Sequence, residues 1–442
     1  RLVSDWSSDV CSSDLQVDPS TAIRLSGTML PLPDSLRVLP APFVDSTTRR
    51  MSRVTMVFGG DMHHETLEAA GVVASWIGAI ADDRGSQFSV RKGSIQRGNA
   101  IVFGAADSEL IRSLGFENVQ GPEIAIRTNP LDPFGKLLVI TGRSAGEIRT
   151  AAQILAAGSY PKDGDRASLN GIRVPPPAAA YDAPRWLNPL RSKGLGESLS
   201  PEMLRWYGAG AVNLYFRLPP DLAFGQRSTV PLRLGFRTTA SVEQSGELRV
   251  TLNGGRVSTT RFSISEGATS HHRTVYLPVP SLYSGNTLTI EFHLNAPANS
   301  AASSYPEISV LPNSSIELRG IPRFVRLPRL DLFANAGFPF TRLADLSGTA
   351  VLLPDQPTTD EVACYLGLLG RFGGQTGSPT YRVTVLGSSE ARKAQDKELL
   401  VIGSTSDHPL FQQWAAHLPV SINEQLRPNK PPGLWKIGRA HV

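Results

Sequence analysis

Apolar residues recur along this chain with two different periods, and the change of period divides it. VTMVF (54–58) reads as a buried strand, and the turn after it leads into 66–85, where Leu67, Ala70, Val73, Ile77 and Ile80 fall at helical spacing before a stop at Gly85. NAIVFG (99–104) and KLLVITG (136–142) repeat the strand signal, and AGEIRTAAQILAAG repeats the helical one. Short apolar strands alternating with helices predict a small parallel α/β sheet covered on both faces. From 161 to 190 the composition turns to Pro, Gly and Ala, which marks a boundary. Beyond it the period becomes two: VNLYFRL (212–218), PLRLGFR (231–237), ELRVTL (247–252), RTVYLPV (273–279), NTLTIEFHL (286–294), EISVL (307–311) and SIELRG (315–320) alternate apolar with polar. Val212, Leu214, Phe216 and Leu218 face one way, and Asn213, Tyr215 and Arg217 the other. With Asn253-Gly254 as a hairpin turn, these strands predict a β-sandwich or jelly roll.

A second α/β pattern opens with TAVLLPD at 349, runs through a helix at 358–377, and continues to YRVTV (381–385) and ELLVIG (398–403). Thr66–Gly85 and Thr358–Gly377 are helical units of equal length, each set between strands. The chain therefore reads as a coarse internal duplication rather than a short-period solenoid.

At 442 residues the length suggests three or four domains. Two cysteines, Cys11 and Cys364, exclude a disulfide scaffold. Lys and Arg number 44 against 39 Asp and Glu, and they are scattered, so no nucleic-acid groove is predicted. The apolar segment 71–81 is too short to cross about 30 Å of hydrocarbon. Residues 1–15 and 436–442 fit no element and resemble translated sequencing adapters, so they are left out of the fold. That leaves Cys364, with Leu368 one helical turn on, predicted to pack as a buried small apolar side chain. LPLPDSLRVLPAPF (30–43) predicts an extended linker.

Gly142-Arg143-Ser144-Ala145-Gly146 has the form of a hydrolase nucleophile elbow between strand and helix. Ser144 followed by Glu147 is equally a capping box. The capping reading is preferred, because no histidine follows on the same predicted sheet; a secreted α/β hydrolase using Ser144 is the alternative. The adjacent pairs His63-His64 and His271-His272 point in different directions and predict solvated loop residues rather than metal ligands. Neither a dinucleotide nor a phosphate-loop signature is present. Trp206, Tyr207, Tyr215, Tyr276 and Tyr283 are candidate carbohydrate-binding residues, since such rings stack on sugars and their polar edges meet hydroxyls. Arg319 and Arg323 are spaced as in cyclic-dinucleotide receptors, with Asp345 and Ser347 downstream but Ala350 where that motif has glycine. A direct cyclic di-GMP receptor is the second alternative.

Residues 331–377 closely resemble the B-subunit family of bacterial cellulose synthase, often labelled its cyclic di-GMP-binding regulatory subunit, and so do 30–45 and 66–85. The resemblance implies a multidomain α/β plus all-β protein in which flavodoxin-like α/β domains alternate with jelly-roll, carbohydrate-binding-like β-sandwiches. It divides the chain into the tail of a first jelly roll with its linker (16–49), flavodoxin-like domain 1 (50–160), a linker (161–184), a second jelly roll (185–320) and a truncated flavodoxin-like domain 2 (325–435). It implies a non-catalytic periplasmic subunit beside the catalytic A subunit, guiding nascent β-1,4-glucan and held at the inner membrane by a C-terminal helix. The signal peptide, most of the first jelly roll and that anchor would lie outside these residues. No catalytic, metal or cofactor site is expected, cyclic di-GMP is expected on the catalytic partner, and self-association is left open.

Overall fold

The computed structural model describes residues 30–45, 47–240, 243–294, 306–403 and 409–414. The first α/β unit runs β1 (Ser52–Phe58), α1 (His64–Ala81), β2 (Ser86–Lys92), β3 (Ala100–Ala105), α2 (Glu109–Ser113), β4 (Glu123–Asn129), β5 (Asp132–Gly142), α3 (Ala145–Ala157) and β6 (Arg166–Ser168). Its strand order is β2-β1-β3-β5-β4-β6. The sheet is mixed rather than parallel, because β4 lies antiparallel to both β5 and β6. Connection length explains this: only Pro130 and Leu131 separate β4 from β5, enough for a hairpin and far too few for a crossover. Helices α1 and α3 cover one face, while α2 and the loop through Phe116 and Val119 cover the other.

The proline-rich segment is not an extended linker. Its apolar residues fold inward through a 3-10 turn at Leu36–Val38, burying Leu36, Phe43 and Val44 in the core beneath α1 and α3. Asp34 pairs at 2.5 Å with the buried Lys136 ammonium. The boundary segment 161–184 is likewise structured: β6 pairs with β4, and Leu169, Tyr181 and Ala183 are buried.

The middle unit is an antiparallel sandwich of β7 (Arg205–Tyr207), β8 (Gly210–Arg217), β9 (Thr229–Ala240), β10 (Gln244–Leu252), β11 (Gly255–Ile264), β12 (Gly267–Pro278), β13 (Gly285–Leu294), β14 (Glu307–Val310) and β15 (Ser315–Ile316). One sheet is ordered β11-β10-β13-β8 and the other β12-β9-β14-β7, with β15 on β9. Asn253 and Gly254 both take positive φ, 52° and 78°, as a two-residue hairpin between β10 and β11 requires. Period-two residues from both sheets fill the core, where Phe236, Phe262 and Phe292 meet edge to face at 5.0–6.0 Å.

The third unit comprises α4 (Leu330–Ala336), β16 (Thr349–Leu353), α5 (Thr359–Thr376), β17 (Thr384–Gly387), β18 (Glu398–Val401) and α6 (Pro409–Trp414). Its parallel order β17-β16-β18 reproduces β2-β1-β3, with α5 in the place of α1, so the duplication extends to topology. The two α/β units share one hydrophobic core across α1 and α5. These 18-residue helices run side by side, and a Cβ on Gly78 would collide with the Gly370 carbonyl while one on Gly373 would collide with that of Ser75. Gly78 and Gly373 are the fifteenth residues of their helices, Ser75 and Gly370 the twelfth, so one contact is made twice, as in an isologous interface. Polar groups inside the seam are satisfied across it: Thr380 N–H donates to Ser75 Oγ at 2.8 Å, Tyr365 OH to Leu67 O at 3.1 Å, and Val385 N–H to Glu68 at 3.0 Å.

Cys364 is exposed, contrary to its predicted burial. Val362, Tyr365, Leu366, Leu369 and Phe372 form the packed side of α5, and Cys364 lies off that stripe.

The sandwich leaves and rejoins the α/β pair at adjacent points. Tyr181 N–H donates to Arg342 O at 2.8 Å, and Tyr181, Ala183, Trp186, Ala336 and Ala344 form a small core there. Arg185 donates to Ala79 O at 2.9 Å and pairs with Asp82 at 2.7 Å, while Trp186 donates to Gln375 O at 3.2 Å.

Candidate functional site

Alternation puts every second residue of a sandwich strand on an outer face, so each sheet presents a polar surface built from several strands. An open groove of about 730 Å³ lies on the sheet containing β9, β12 and β15. Register places Tyr276 beside Pro231, Thr274 beside Arg233, and His272 beside Gly235, with Ser315 on the far side of Arg233. Glu317 is held in the groove by hydroxyls of Ser192 and Ser315 and by the Arg319 guanidinium at 3.1 Å. The Ser192 hydrogen bond, with help from Arg319 and Ser315, lowers its carboxyl below the ordinary 4.5 against the opposing effect of burial. The groove thus offers guanidinium donors, one anchored carboxylate, hydroxyls and a tyrosine ring.

Of the five candidate aromatics, this groove takes only Tyr276, which is 62% exposed. Tyr215, on β8, faces outward from the opposite sheet. Trp206 is half-buried, tilted against Phe292 at 5.6 Å, and lines a separate notch with Met203 and Glu202. Tyr207 is exposed on β7, and Tyr283 in the turn before β13. The rings are dispersed, not gathered into one stacking platform. Arg233, Arg273, Asn313 and Glu317 were not recognisable as a group from the sequence, because only strand register and the β15 segment bring them together.

His271 and His272 are not loop residues: both lie within β12. His272 faces the groove, whereas His271 is buried, stacked on Phe236 at 4.6 Å and 3.2 Å from Thr238 Oγ1. Burial, then the nearby positive charge of Arg273 and His272, lowers its pKa below the ordinary 6.5. His63 and His64 open α1, where His64 Nε2 lies 3.3 Å from Pro354 O.

Ser144 caps α3, its hydroxyl accepting from Glu147 N–H at 3.4 Å while the Glu147 carboxylate takes Arg143 N–H at 2.7 Å. Arg319 and Arg323 do not converge. Arg319 is committed to Glu317, and Arg323 lies over the ring of Tyr181 at 4.7 Å, a phenol pushed up to about 12 by burial and by Asp221. Asp345 is buried and accepts Ala178 N–H and Ser347 N–H at 2.9 and 3.0 Å, so it organises a loop. Among the described residues no helix is long and apolar enough to cross a membrane.

The fold defines a class: paired α/β domains carrying an antiparallel β-sandwich. Three family models match in succession, the first FD domain of cellulose synthase BcsB over residues 35–169, its second CBM domain over 195–315, and its second FD domain over 323–440. The chain belongs to the cellulose synthase BcsB family. It is 32% identical to the cyclic di-GMP-binding protein of Xanthomonas axonopodis pv. citri, the alignment covering 92% of this chain and 55% of that one. A protein of the same name from Pseudomonas fluorescens is 33% identical over 92% and 57% of the two chains, and that of Komagataeibacter xylinus 32% over 87% and 51%. The chain spans about half the length of the curated relatives it matches.

Proposed function

We propose that the chain is part of a non-catalytic accessory subunit of a bacterial cellulose synthase, seated beside the membrane-embedded catalytic subunit and guiding nascent β-1,4-glucan. The observation that carries this reading is the unbroken succession of FD, CBM and FD domain matches from one cellulose synthase family. In this reading the α/β units are flavodoxin-like scaffolds, and the sandwich is a jelly roll whose outward tyrosines and hydroxyls make shallow, weak sugar contacts. The protein works in the periplasm, tied to the inner membrane by a segment outside these residues. It holds no cofactor of its own, and cyclic di-GMP acts through the catalytic partner. The test is co-purification of the full-length protein with the catalytic subunit, together with cellulose output in a strain lacking it. Absence of both effects sinks the proposal.

The name shared by the relatives favours a second reading, in which this chain binds cyclic di-GMP itself. Calorimetric titration with the nucleotide separates the two. Saturable binding lost in Arg319→Ala supports direct binding, and no heat at all leaves the nucleotide with the partner.

A further inference from the structure

The two outer faces of the sandwich differ in what answers their arginines. On the β11-β10-β13-β8 sheet, Arg249 stands opposite Glu291 and Arg261 opposite Glu247. Arg249 lies 3.3 and 3.8 Å from the carboxylates of Glu247 and Glu291, and His293 lies 3.5 Å from Glu291. Facing side chains on paired strands sit about 5 Å apart, so these two arginines have carboxylates beside them, while Arg256 on the same sheet stands opposite Thr251.

On the β12-β9-β14-β7 sheet, Arg233 stands opposite Thr274 and Ser315, and Arg237 opposite Ser270 and Ser309. The two carboxylates of this face are already engaged, Glu317 with Arg319 at 3.1 Å and Glu307 with Arg205 at 2.6 Å. Among the described residues, Arg233 and Arg237 have no acidic partner. They project outward from one strand about 14 Å apart, at roughly 3.4 Å per residue. Gly235 lies between them, and the space above it is filled by Leu311 and His272, whose side chains a Cβ there would meet at 2.9 and 3.3 Å. Arg273 also lines this groove, and Tyr276 stands on its wall. A guanidinium without a protein carboxylate is a ready fork for carboxylate or phosphate oxygens, held bidentately.

We propose that this groove binds an anionic glycan, a sugar chain carrying carboxylate or phosphate groups, with Arg233 in the groove and Arg237 farther along the same strand, outside its lining, taking successive negative groups and Tyr276 meeting a sugar ring. The inference rests on the carbohydrate-facing reading above and names the ligand class of that site. The test is calorimetric titration of the whole chain with carboxymethylated cello-oligosaccharide and with the neutral oligosaccharide of equal length, at low and high salt. The carboxymethylated probe is expected to bind about tenfold more tightly, the scale of one or two charge-assisted hydrogen bonds, and to lose that advantage in high salt. Arg233→Gln with Arg237→Gln removes the advantage, Arg261→Gln on the other face leaves it, and an unchanged melting transition shows that each variant folds. Equal affinity for both probes, an advantage surviving the double substitution, or binding of neither overturns the inference. Arginine-dependent binding to phosphatidylglycerol vesicles without binding of the carboxymethylated probe also overturns it, assigning the charge to a lipid surface. Co-purification with the synthase judges the accessory role separately, so the two can fail independently.

Discussion

The seam between α1 and α5 and the outer faces of the sandwich are both built from small and polar residues, yet they use them in opposite ways. In the seam glycines bring backbone against backbone, and Ser75, Thr380, Tyr365 and Glu68 spend their polar atoms on the neighbouring unit. On the β9 face, Gly235 instead makes room for the side chains of Leu311 and His272, and Arg233 and Arg237 keep their donors turned to solvent. Polarity alone says nothing about role; what matters is whether each group is already satisfied.

If that contrast is right, seam substitutions should move stability and face substitutions should not. The largest effect is expected for Gly373→Val, whose side chain must displace the Ser75 carbonyl: a loss of about 3 kcal/mol, read from denaturant unfolding. A loss under about 0.5 kcal/mol would break the contrast at its stronger end. Ser75→Ala strands Thr380 N–H without its acceptor and should cost about 1–3 kcal/mol. Combined with Thr380→Val in a double-mutant cycle, it should show marked non-additivity, whereas simple additivity would mean the pair is not coupled.

A smaller effect belongs to His271 inside the sandwich. Its folded pKa lies below the ordinary 6.5, so the unfolded chain takes up the proton first. Sandwich stability should therefore fall as pH drops below about 6.5, with the loss complete below the folded value. His271→Phe should flatten that part of the stability–pH curve; an unchanged slope would show that another group sets it. The smallest effect is expected for Arg233→Gln with Arg237→Gln, within about 0.5 kcal/mol, because neither side chain makes an ion pair among the described residues. A larger loss in thermal melts would mean that the face also serves the fold.

Much of the fold was legible where one residue pattern sufficed. β1, β3, β5 and β16 are apolar runs, α1 and α5 keep helical spacing, and β8 shows clean alternation with Asn253-Gly254 marking the hairpin. The elements missed have weaker patterns for identifiable reasons. β2 and β11 lie at sheet edges, where one strand neighbour is missing and polar residues are tolerated on both sides, and β4 enters by a two-residue hairpin inside an otherwise parallel pattern. Helical glycines such as Gly78 and Gly373 read as weak helix formers until two segments almost three hundred residues apart are brought together. The groove was least legible, because Arg233 acquires its meaning from what stands opposite: Thr274 and Ser315 rather than a glutamate.

The adjacent departure and return of the chain at Tyr181 and Arg342 has a mechanical consequence. A tug on the sandwich arrives at the scaffold as a single load at one corner, because both connecting segments meet it there. That load falls on Arg185 and Trp186, pinned to the last turns of α1 and α5, so it pulls on both halves of the duplication together rather than peeling one from the other.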